Sequence, residues 1–389
     1  MTPLQHLKLP LAALVITVLA ACGGGAGGGS ADSGTLRLAL TDAPSCGFDA
    51  VNVTIQKIRV HQSGGAANAE AGWSEIVLNP ARRLNLLNLT NGVLDELGQT
   101  PLPAGKYTQL RLVLAENGGA TPLANSVKLT GGAEVALKTP SGQQSGVKVN
   151  VNIDVAASSL ADFVLDFDAC KSVVVAGASG QYLLKPVVVV VPRTVSGVAG
   201  YVDPATLANG ATSLSLQQAG VVIKATTPDS TGRFLLQPVA PGDYMLVMTA
   251  PGRSTAIVTH VPVAANSVTS INVSGTPLNS PASPSGTANG VAPVETLVRA
   301  LQTLTGGATA EVAGRFVDAD TGVYTYPLVV SAPLVAPYVA APGLLVFAAD
   351  APVAGKYTLK ASLAGFADKT AVLGTLAASA TIATNFTFP

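Results

Sequence analysis

Charged side chains are scarce in this sequence, and neither sign prevails. Of the 389 residues, 11% are charged, with 22 basic and 22 acidic side chains and a net charge of zero. Proteins that bind nucleic acids present a basic stripe or patch on one face, and no stretch of this sequence supplies one. We therefore predict that nucleic acid is not a partner.

Histidine and cysteine are also rare, with three of each. Zinc sites need three or four such ligands at workable spacing, whereas His61 and His260 lie in distant parts of the chain. The Gly-x-Ser-x-Gly motif of one class of serine hydrolases does not occur. The sequence thus predicts no metal, no cofactor and no catalytic residue, and we expect that the protein is not an enzyme.

Long apolar runs are missing too, although 48% of the residues are hydrophobic. A membrane-spanning helix needs about 20 apolar residues, and the N-terminal run over residues 9–20 is shorter than that. The five valines at 187–191 stand between Pro186 and Pro192, as in a buried strand. We therefore expect no segment that crosses a membrane.

The N-terminal segment indicates export. Lys8 precedes the apolar run, and small residues at Ala20 and Ala21 suit the cleft of a signal peptidase. Leu19-Ala20-Ala21-Cys22 resembles a bacterial lipobox, which implies a signal peptide at 1–21 and lipid attachment to Cys22. The alternative is a plain secretory peptide that happens to contain this cysteine.

Several acyl chains on one cysteine would anchor the protein stably, because a single chain binds a membrane only marginally. Gly23 is not the aspartate that typically retains lipoproteins at the inner membrane. The resemblance therefore implies a lipid anchor in the bacterial outer membrane, facing the periplasm or the cell exterior. Residues 22–34 then comprise the lipidated cysteine and a glycine-rich tether.

Glycine and proline are abundant, with 40 and 26 residues that punctuate short Val-, Thr- and Leu-rich segments. This pattern predicts an all-β fold. Residues 51–60 show it well, since Val51, Val53 and Ile55 alternate with polar residues as in a half-buried strand. We expect an N-terminal β-sandwich-like domain, two tandem prealbumin- or Ig-like β-sandwich modules and one short linker helix.

The segment 35–193 is predicted to be a β-rich domain. Its motifs Leu-Thr-Asp-Ala-Pro at 40–44, Leu-Pro-Ala-Gly-Lys-Tyr at 102–107, Leu-Asp-Phe at 165–167 and Lys-Pro-Val at 185–187 resemble a family of unknown function found in bacterial lipoproteins. That family has no assigned active site, so the resemblance implies a fold and a location but no functional residue.

Residues 194–274 and 309–389 are predicted to be two related modules. Gly242-Asp243-Tyr244 and Gly355-Lys356-Tyr357 each lead into a strand, and Ala199-Gly200-Tyr201 is similar to Ala313-Gly314-Arg315. With Gly232-Arg233-Phe234 ahead of the first tyrosine, the pattern resembles the carboxypeptidase-regulatory-like, prealbumin-type sandwich.

Residues 275–308 are predicted to be a linker, because 275–293 are rich in Ser, Pro, Gly, Thr and Asn. Leu297, Val298, Leu301 and Leu304 follow with helical spacing, and Gly306-Gly307 would end a helix. We therefore expect a short amphipathic helix at about 294–305.

Lipidation of Cys22 would leave Cys46 and Cys170 in an oxidising compartment, where disulfides persist. We predict that these two cysteines pair. Two separate buried thiols are the alternative.

Asp42, Asp166 and Asp168 belong to the densest set of carboxylates. Hard oxygen ligands of this kind can bind calcium, which makes the three residues weak calcium candidates. Aspartates at strand ends more often accept hydrogen bonds from turn backbone, and no metal remains our prediction.

Exposed aromatic faces on a β-sandwich are typical of sugar-binding proteins, but aromatic residues make up only 5% of this chain. Candidates for ligand-binding aromatics are Trp73, Tyr324, Tyr326 and Tyr338. Tyr324 and Tyr326 would share one face of a strand.

Together these features predict a lipid-anchored cell-envelope protein that acts as a non-enzymatic binding or scaffold module. The membrane would be bound through the lipid, and a glycan or an envelope protein is the candidate partner. A carbohydrate-binding surface lipoprotein is the first alternative. An uncharacterised enzyme is the second, and a pocket joining Arg59, Arg111 and Asp166 in the first module would favour it.

Replacement of Cys22 by Ser removes the sulfur that would carry the lipid. We expect Cys22→Ser protein to move from the membrane to the soluble fraction when both are separated by ultracentrifugation. A variant that stays with the membrane would contradict the lipobox interpretation.

Overall fold

The computed structural model describes residues 32–42, 47–140, 145–207 and 211–389. The signal peptide, Cys22 and Cys46 lie outside these ranges, so the predictions that concern them stay predictions. The chain is all-β, as predicted. No helix among the described residues has the length and hydrophobicity to cross a membrane.

The first module consists of two facing sheets and one short helix, α1 (Ala169–Ser172). Its strands are β1 (Ser33–Asp42), β2 (Phe48–His61), β3 (Ser74–Asn85), β4 (Asp95–Pro103), β5 (Gly105–Leu114), β6 (Ser126–Leu129), β7 (Glu134–Lys138), β8 (Val147–Val155), β9 (Leu160–Phe167), β10 (Val173–Ala176), β11 (Gln181–Leu184) and β12 (Val188–Pro192).

One sheet of the first module has the order β12-β9-β1-β4, and the other has the order β10-β11-β7-β6-β2-β5-β8, with β3 paired to β2. Leu36, Leu38 and Leu40 alternate along β1 and are fully buried in the core between the sheets. β1 and β9 run parallel, with Thr41 opposite Asp166. The same parallel pairing brings the carboxyl ends of both strands to one edge, where α1 begins.

The second and third modules are β-sandwiches with the same topology. The strands of the second are β13 (Gly197–Tyr201), β14 (Ser213–Gln218), β15 (Val221–Thr226), β16 (Arg233–Leu236), β17 (Gly242–Thr249), β18 (Ala256–Val263) and β19 (Val268–Ser270). Those of the third are β20 (Ser285–Val291), β21 (Leu297–Thr303), β22 (Thr309–Phe316), β23 (Val323–Val329), β24 (Leu334–Pro337), β25 (Ala348–Ala349), β26 (Thr358–Ser362), β27 (Lys369–Val372) and β28 (Thr381–Ala383).

The sheets β16-β13-β19 and β15-β14-β17-β18 of the second module correspond to β23-β20-β28 and β22-β21-β26-β27 of the third. Asn272 and Asn385 occupy matching places, since their Oδ1 atoms accept the N–H groups of Tyr201 and Val291. The tyrosines Tyr244 and Tyr357 match as well, and both are buried. The second and third modules therefore repeat one topology.

The predicted alignment of the first half of the repeat was wrong. Ala199-Gly200-Tyr201 lies in β13, whereas Ala313-Gly314-Arg315 lies in β22, the counterpart of β15. The true counterpart of β13 is β20, which begins at Ser285 inside the predicted linker. Its glycine- and serine-rich sequence hid the strand, because a strand inside a sheet can be held by hydrogen bonds with little side-chain packing.

The predicted helix at 294–305 was also wrong, because residues 297–303 form β21 in the centre of a sheet. Val298, Ala300 and Gln302 alternate onto one buried face. Leu304 lies at the end of the strand and packs against Met245 and Val247 of the second module. Apolar residues on both sides of a strand imitate helical spacing, and that produced the error.

The third module extends the sheet of the second. β24 pairs in parallel with β18, and β25 pairs with β24, so the sheet becomes β15-β14-β17-β18-β24-β25. Next to these strands, Leu345 and Phe347 pack against the core of the second module. Residues 32–389 accordingly form one compact unit.

Matching turns in the two sandwiches depend on Gly232 and Gly322. Both have positive φ, and a Cβ on Gly322 would lie 2.2 Å from the carbonyl oxygen of Ala292. Gly365 also has positive φ, but no atom lies within 4 Å of its would-be Cβ.

We expect Gly365→Ala to lower the free energy of unfolding by about 1–2 kcal/mol, the usual cost of a left-handed alanine. Gly322→Ala should cost clearly more, because the backbone must also move. Urea unfolding of both variants measures the difference. Equal losses would show that the close approach at Gly322 has no energetic consequence.

Candidate functional site

The tyrosines predicted to form a sugar-binding face are buried. Tyr324 is 2% exposed and Tyr326 is 3% exposed. The Tyr326 hydroxyl donates to the carbonyl oxygen of Val298 and accepts the N–H of Arg315 at 3.0 Å. Burial raises the pKa of Tyr324 to about 12. The exposed pair was a wrong prediction, since alternate residues of β23 face the core of the third module.

The other two aromatic candidates are half-buried and lie in different modules. The Trp73 ring contacts the guanidinium carbons of Arg59 and Arg111, at 4.5 and 4.8 Å from the ring centroid. Its indole N–H donates to the carbonyl oxygen of Ala67. Tyr338 packs partly against the core of the second module. Trp73 and Tyr338 therefore do not form one exposed aromatic face with Tyr324 and Tyr326.

Asp42, Asp166 and Asp168 come together at the edge where β1 and β9 end, but protein groups occupy them. Asp42 Oδ1 accepts the N–H of Ala169, and Asp168 caps α1 by accepting the N–H of Lys171. Asp166 pairs with Lys224. Among the described residues, no group of three His, Cys, Asp or Glu side chains is arranged to hold a metal ion.

Arg59, Arg111 and Asp166 do not converge on one pocket. Arg59 and Arg111 both donate to Asn68 Oδ1 beside Trp73, whereas Asp166 faces Lys224. The arrangement that would favour an enzyme is therefore not formed by these three residues.

The main candidate site is a cleft of about 550 Å³ where all three modules meet, which we call the junction cleft. α1 supplies one wall, β14 and β15 supply a second, and β22 supplies a third. It is lined by Gly47, Asp168, Cys170, Lys171, Ala211, Ser213, Ser215, Val222, Ala225, Thr249, Pro251, Glu311, Val312, Ala313, Gly314, Arg315, Tyr326 and Pro327.

Lys171 is the central cation of the junction cleft. Its Nζ lies 3.0 Å from Glu311 Oε1 and 3.5 Å from Asp168 Oδ2. Burial by itself would lower the pKa of Lys171, but the two carboxylates outweigh it and raise that pKa. Lys171 therefore stays charged and joins the first module to the third.

Glu311 is fixed from two further directions. Its backbone N–H donates to Gln217 Oε1 at 2.8 Å, and its carbonyl oxygen accepts from Gln217 Nε2 at 2.8 Å. Arg299 lies 3.8 Å from its other carboxylate oxygen. One residue of the third module thus contacts both other modules, which holds this wall of the cleft in place.

Arg315 presents a cation to the cleft with more freedom. Its guanidinium lies 5.0 Å from the ring centroid of Tyr326, a favourable cation–π geometry. The side chain is exposed. Ser213 and Ser215 line the opposite wall. A bound molecule would therefore meet a cation, hydroxyls and the buried ion pairs.

A second cavity of about 230 Å³ adjoins the junction cleft and shares Ala211, Thr249, Pro251, Val312, Ala313 and Pro327 with it. It continues between the second and third modules past Leu328 and Val329. The second cavity also contacts Arg253, Thr255 and Ser285, so polar groups are present along the whole of the combined cleft. The combined cleft suits an elongated molecule.

Sequence reasoning did not find Lys171, Glu311 or Arg315. Each is an ordinary surface residue when its own strand or helix is considered alone. These residues come together only because modules that are distant in sequence dock against one another. No local sequence pattern predicts that docking. The one available signal was the apolar neighbourhood of Glu311, which lies between Ala310 and Val312.

Residues 33–186 match the family model DUF4382, a domain of unknown function. The first module is thus similar to that family, in agreement with the predicted domain of unknown function. None of the curated proteins matches the chain.

Similar solved structures include a mutant type II cohesin–X-dockerin complex from Acetivibrio cellulolyticus, 25% identical with a TM-score of 0.19 over 23% of this chain and 59% of that chain. The Bacillus anthracis TIE protein is 12% identical, with a TM-score of 0.18 over 92% and 51%. The chain spans less than two thirds of either one. Similarity this low assigns neither a fold nor a function, and none is taken from it.

Removal of the Glu311 carboxylate would leave Lys171 buried beside Asp168 alone. We expect Glu311→Ala to lower the free energy of unfolding by about 3–5 kcal/mol, as for other broken buried ion pairs. Asp368→Ala, which breaks the exposed pair of Lys360 and Asp368, should cost less than about 1 kcal/mol. Chemical denaturation of both variants tests this, and a loss for Glu311→Ala no larger than the control would contradict it.

Proposed function

We propose that this chain is a lipid-anchored protein of the bacterial outer membrane that faces the periplasm or the cell exterior. It acts there as a non-enzymatic binding or scaffold module. The observation that carries the proposal is the junction cleft, which has walls from all three modules. Ligand sites commonly occupy such clefts between domains.

The rigidity of the walls supports binding. Lys171, Glu311 and Gln217 link the three modules by an ion pair and hydrogen bonds, and β24 joins the third module to the sheet of the second. A site whose walls are fixed before the ligand arrives loses less conformational entropy on binding. The same links suit a scaffold that holds a partner at a set position.

An envelope glycan or an envelope protein segment is the proposed occupant. Arg315 can bind an anionic group, and Ser213 and Ser215 can exchange hydrogen bonds with hydroxyl or amide groups. The adjoining cavity extends the site past Leu328 and Val329. The carbohydrate-binding alternative now rests on these polar groups, because Tyr324 and Tyr326 are buried.

Two finer assignments belong to the same proposal. We infer that the second and third modules are carboxypeptidase-regulatory-like, prealbumin-type sandwiches, supported by their shared strand order. We also infer a disulfide between Cys46 and Cys170. Cys170 and Gly47, the neighbour of Cys46 in sequence, both line the junction cleft, which supports this pairing.

Reversal of the charge at Arg315 tests the cleft. Binding of oligosaccharides and short peptides, each in neutral and anionic forms, would be measured by calorimetry on the full chain. We expect at least one probe to bind and to lose tenfold or more in affinity with Arg315→Glu, because its anionic group would face a carboxylate.

Lys138→Glu is the matched control, since Lys138 is an exposed lysine of the first module that does not line the cleft. It should leave the affinity unchanged. The cleft assignment is refuted if every bound probe keeps its affinity for the Arg315→Glu protein, or if both variants weaken it equally.

A further inference from the structure

One lysine and one aspartate meet in the interior between the first and second modules. Lys224 Nζ lies 2.5 Å from Asp166 Oδ1. The side chains retain only 2% and 9% of their accessible surface. Lys224 is on β15 and Asp166 is on β9, so the pair joins two sheets from different modules. Among the described residues, no other ion pair is as deeply buried.

This pair differs from the other buried lysine contact. Lys171 lies between two carboxylates and lines the open junction cleft. Lys224 contacts one carboxylate and lies apart from that cleft, where water cannot stabilise separate charges. Replacing such a buried ion pair with a neutral group of similar size is often favourable.

A second acidic group lies near the pair. Asp42 follows Thr41, which is opposite Asp166 in the parallel pairing of β1 and β9. Burial raises the pKa of the Asp42 carboxyl well above its usual range, and burial also raises the pKa of Asp166. Asp42 Oδ2 has no hydrogen-bond partner within the described part of the chain. Asp42 therefore holds its proton more firmly than an exposed carboxyl does.

We propose that Lys224 and Asp166 form an intramolecular amide bond that joins the second module to the first. The observations behind this are the direct contact of Nζ with the carboxyl group, the exclusion of water from both side chains, and the neighbouring acid Asp42.

The reaction is a condensation and needs no oxidant or reductant. The Lys224 ammonium first gives one proton to the Asp166 carboxylate, and the amine then attacks Cγ and forms the N–C bond. Asp42 gives a proton to the departing hydroxyl while the nitrogen loses one, so Asp42 ends protonated as it began. The Cγ–O bond breaks, and one water molecule leaves. Burial favours the product, because a neutral amide replaces two charges that are costly to desolvate.

Peptide mass spectrometry of the full chain tests the bond. After reduction, alkylation and trypsin, the linked form leaves residues 149–171 joined to 194–233, because trypsin does not cleave after an acylated lysine. The joined fragment should weigh one water molecule less than its two parts. The unlinked form is instead cut after Lys224 and gives separate fragments ending at 224 and at 233.

Lys224→Arg keeps a cation beside Asp166 but removes the nucleophile, and the joined fragment should disappear. Lys171→Arg alters the other buried lysine and should leave it intact. Asp42→Asn keeps the shape of the side chain but removes the acidic proton, and it should reduce the linked fraction by at least tenfold. Complete cleavage after Lys224 in the unaltered, folded protein would overturn the proposal, whatever the variants do.

Discussion

Buried charges hold this molecule together, and they can be buried only because the modules are docked. Lys171 needs Glu311 of the third module, and Asp166 needs Lys224 of the second. Separation of the modules would bring these charges into water, where each pair contributes little. Once a pair is buried, removal of either charge lowers the free energy of unfolding strongly, because the other charge stays buried without its partner. Docking and charge pairing therefore depend on each other, and the junction cleft exists as a result of both.

The strands of the first module could be predicted from the sequence because their alternation is local. Leu36, Leu38 and Leu40 mark a buried face without knowledge of any partner strand. The segment 297–303 could not be predicted in the same way, because the second module covers what would otherwise be an exposed face. Strand β20 was also missed, because its small residues show little alternation of apolar and polar side chains.

The candidate site was the least predictable part. Asp42, Asp166 and Asp168 were weak calcium candidates by sequence density alone. They lie together because β1 and β9 end together, and the lysines that meet Asp166 and Asp168 were not foreseen. A carboxylate set on one module looks like a cation site until the neighbouring module supplies its counter-charges. The aromatic residues were predicted to be exposed, whereas Tyr324 and Tyr326 pack in the core of the third module.

The pairing of β24 with β18 has a consequence for the order in which the protein can be made. Residues 334–337 extend a sheet whose first four strands come from residues 213–263. During synthesis from the N-terminus, the edge of β18 therefore stays unpaired until more than seventy further residues have been added. Until then this edge is open to pairing with other strands, so correct folding depends on what shields it in that interval.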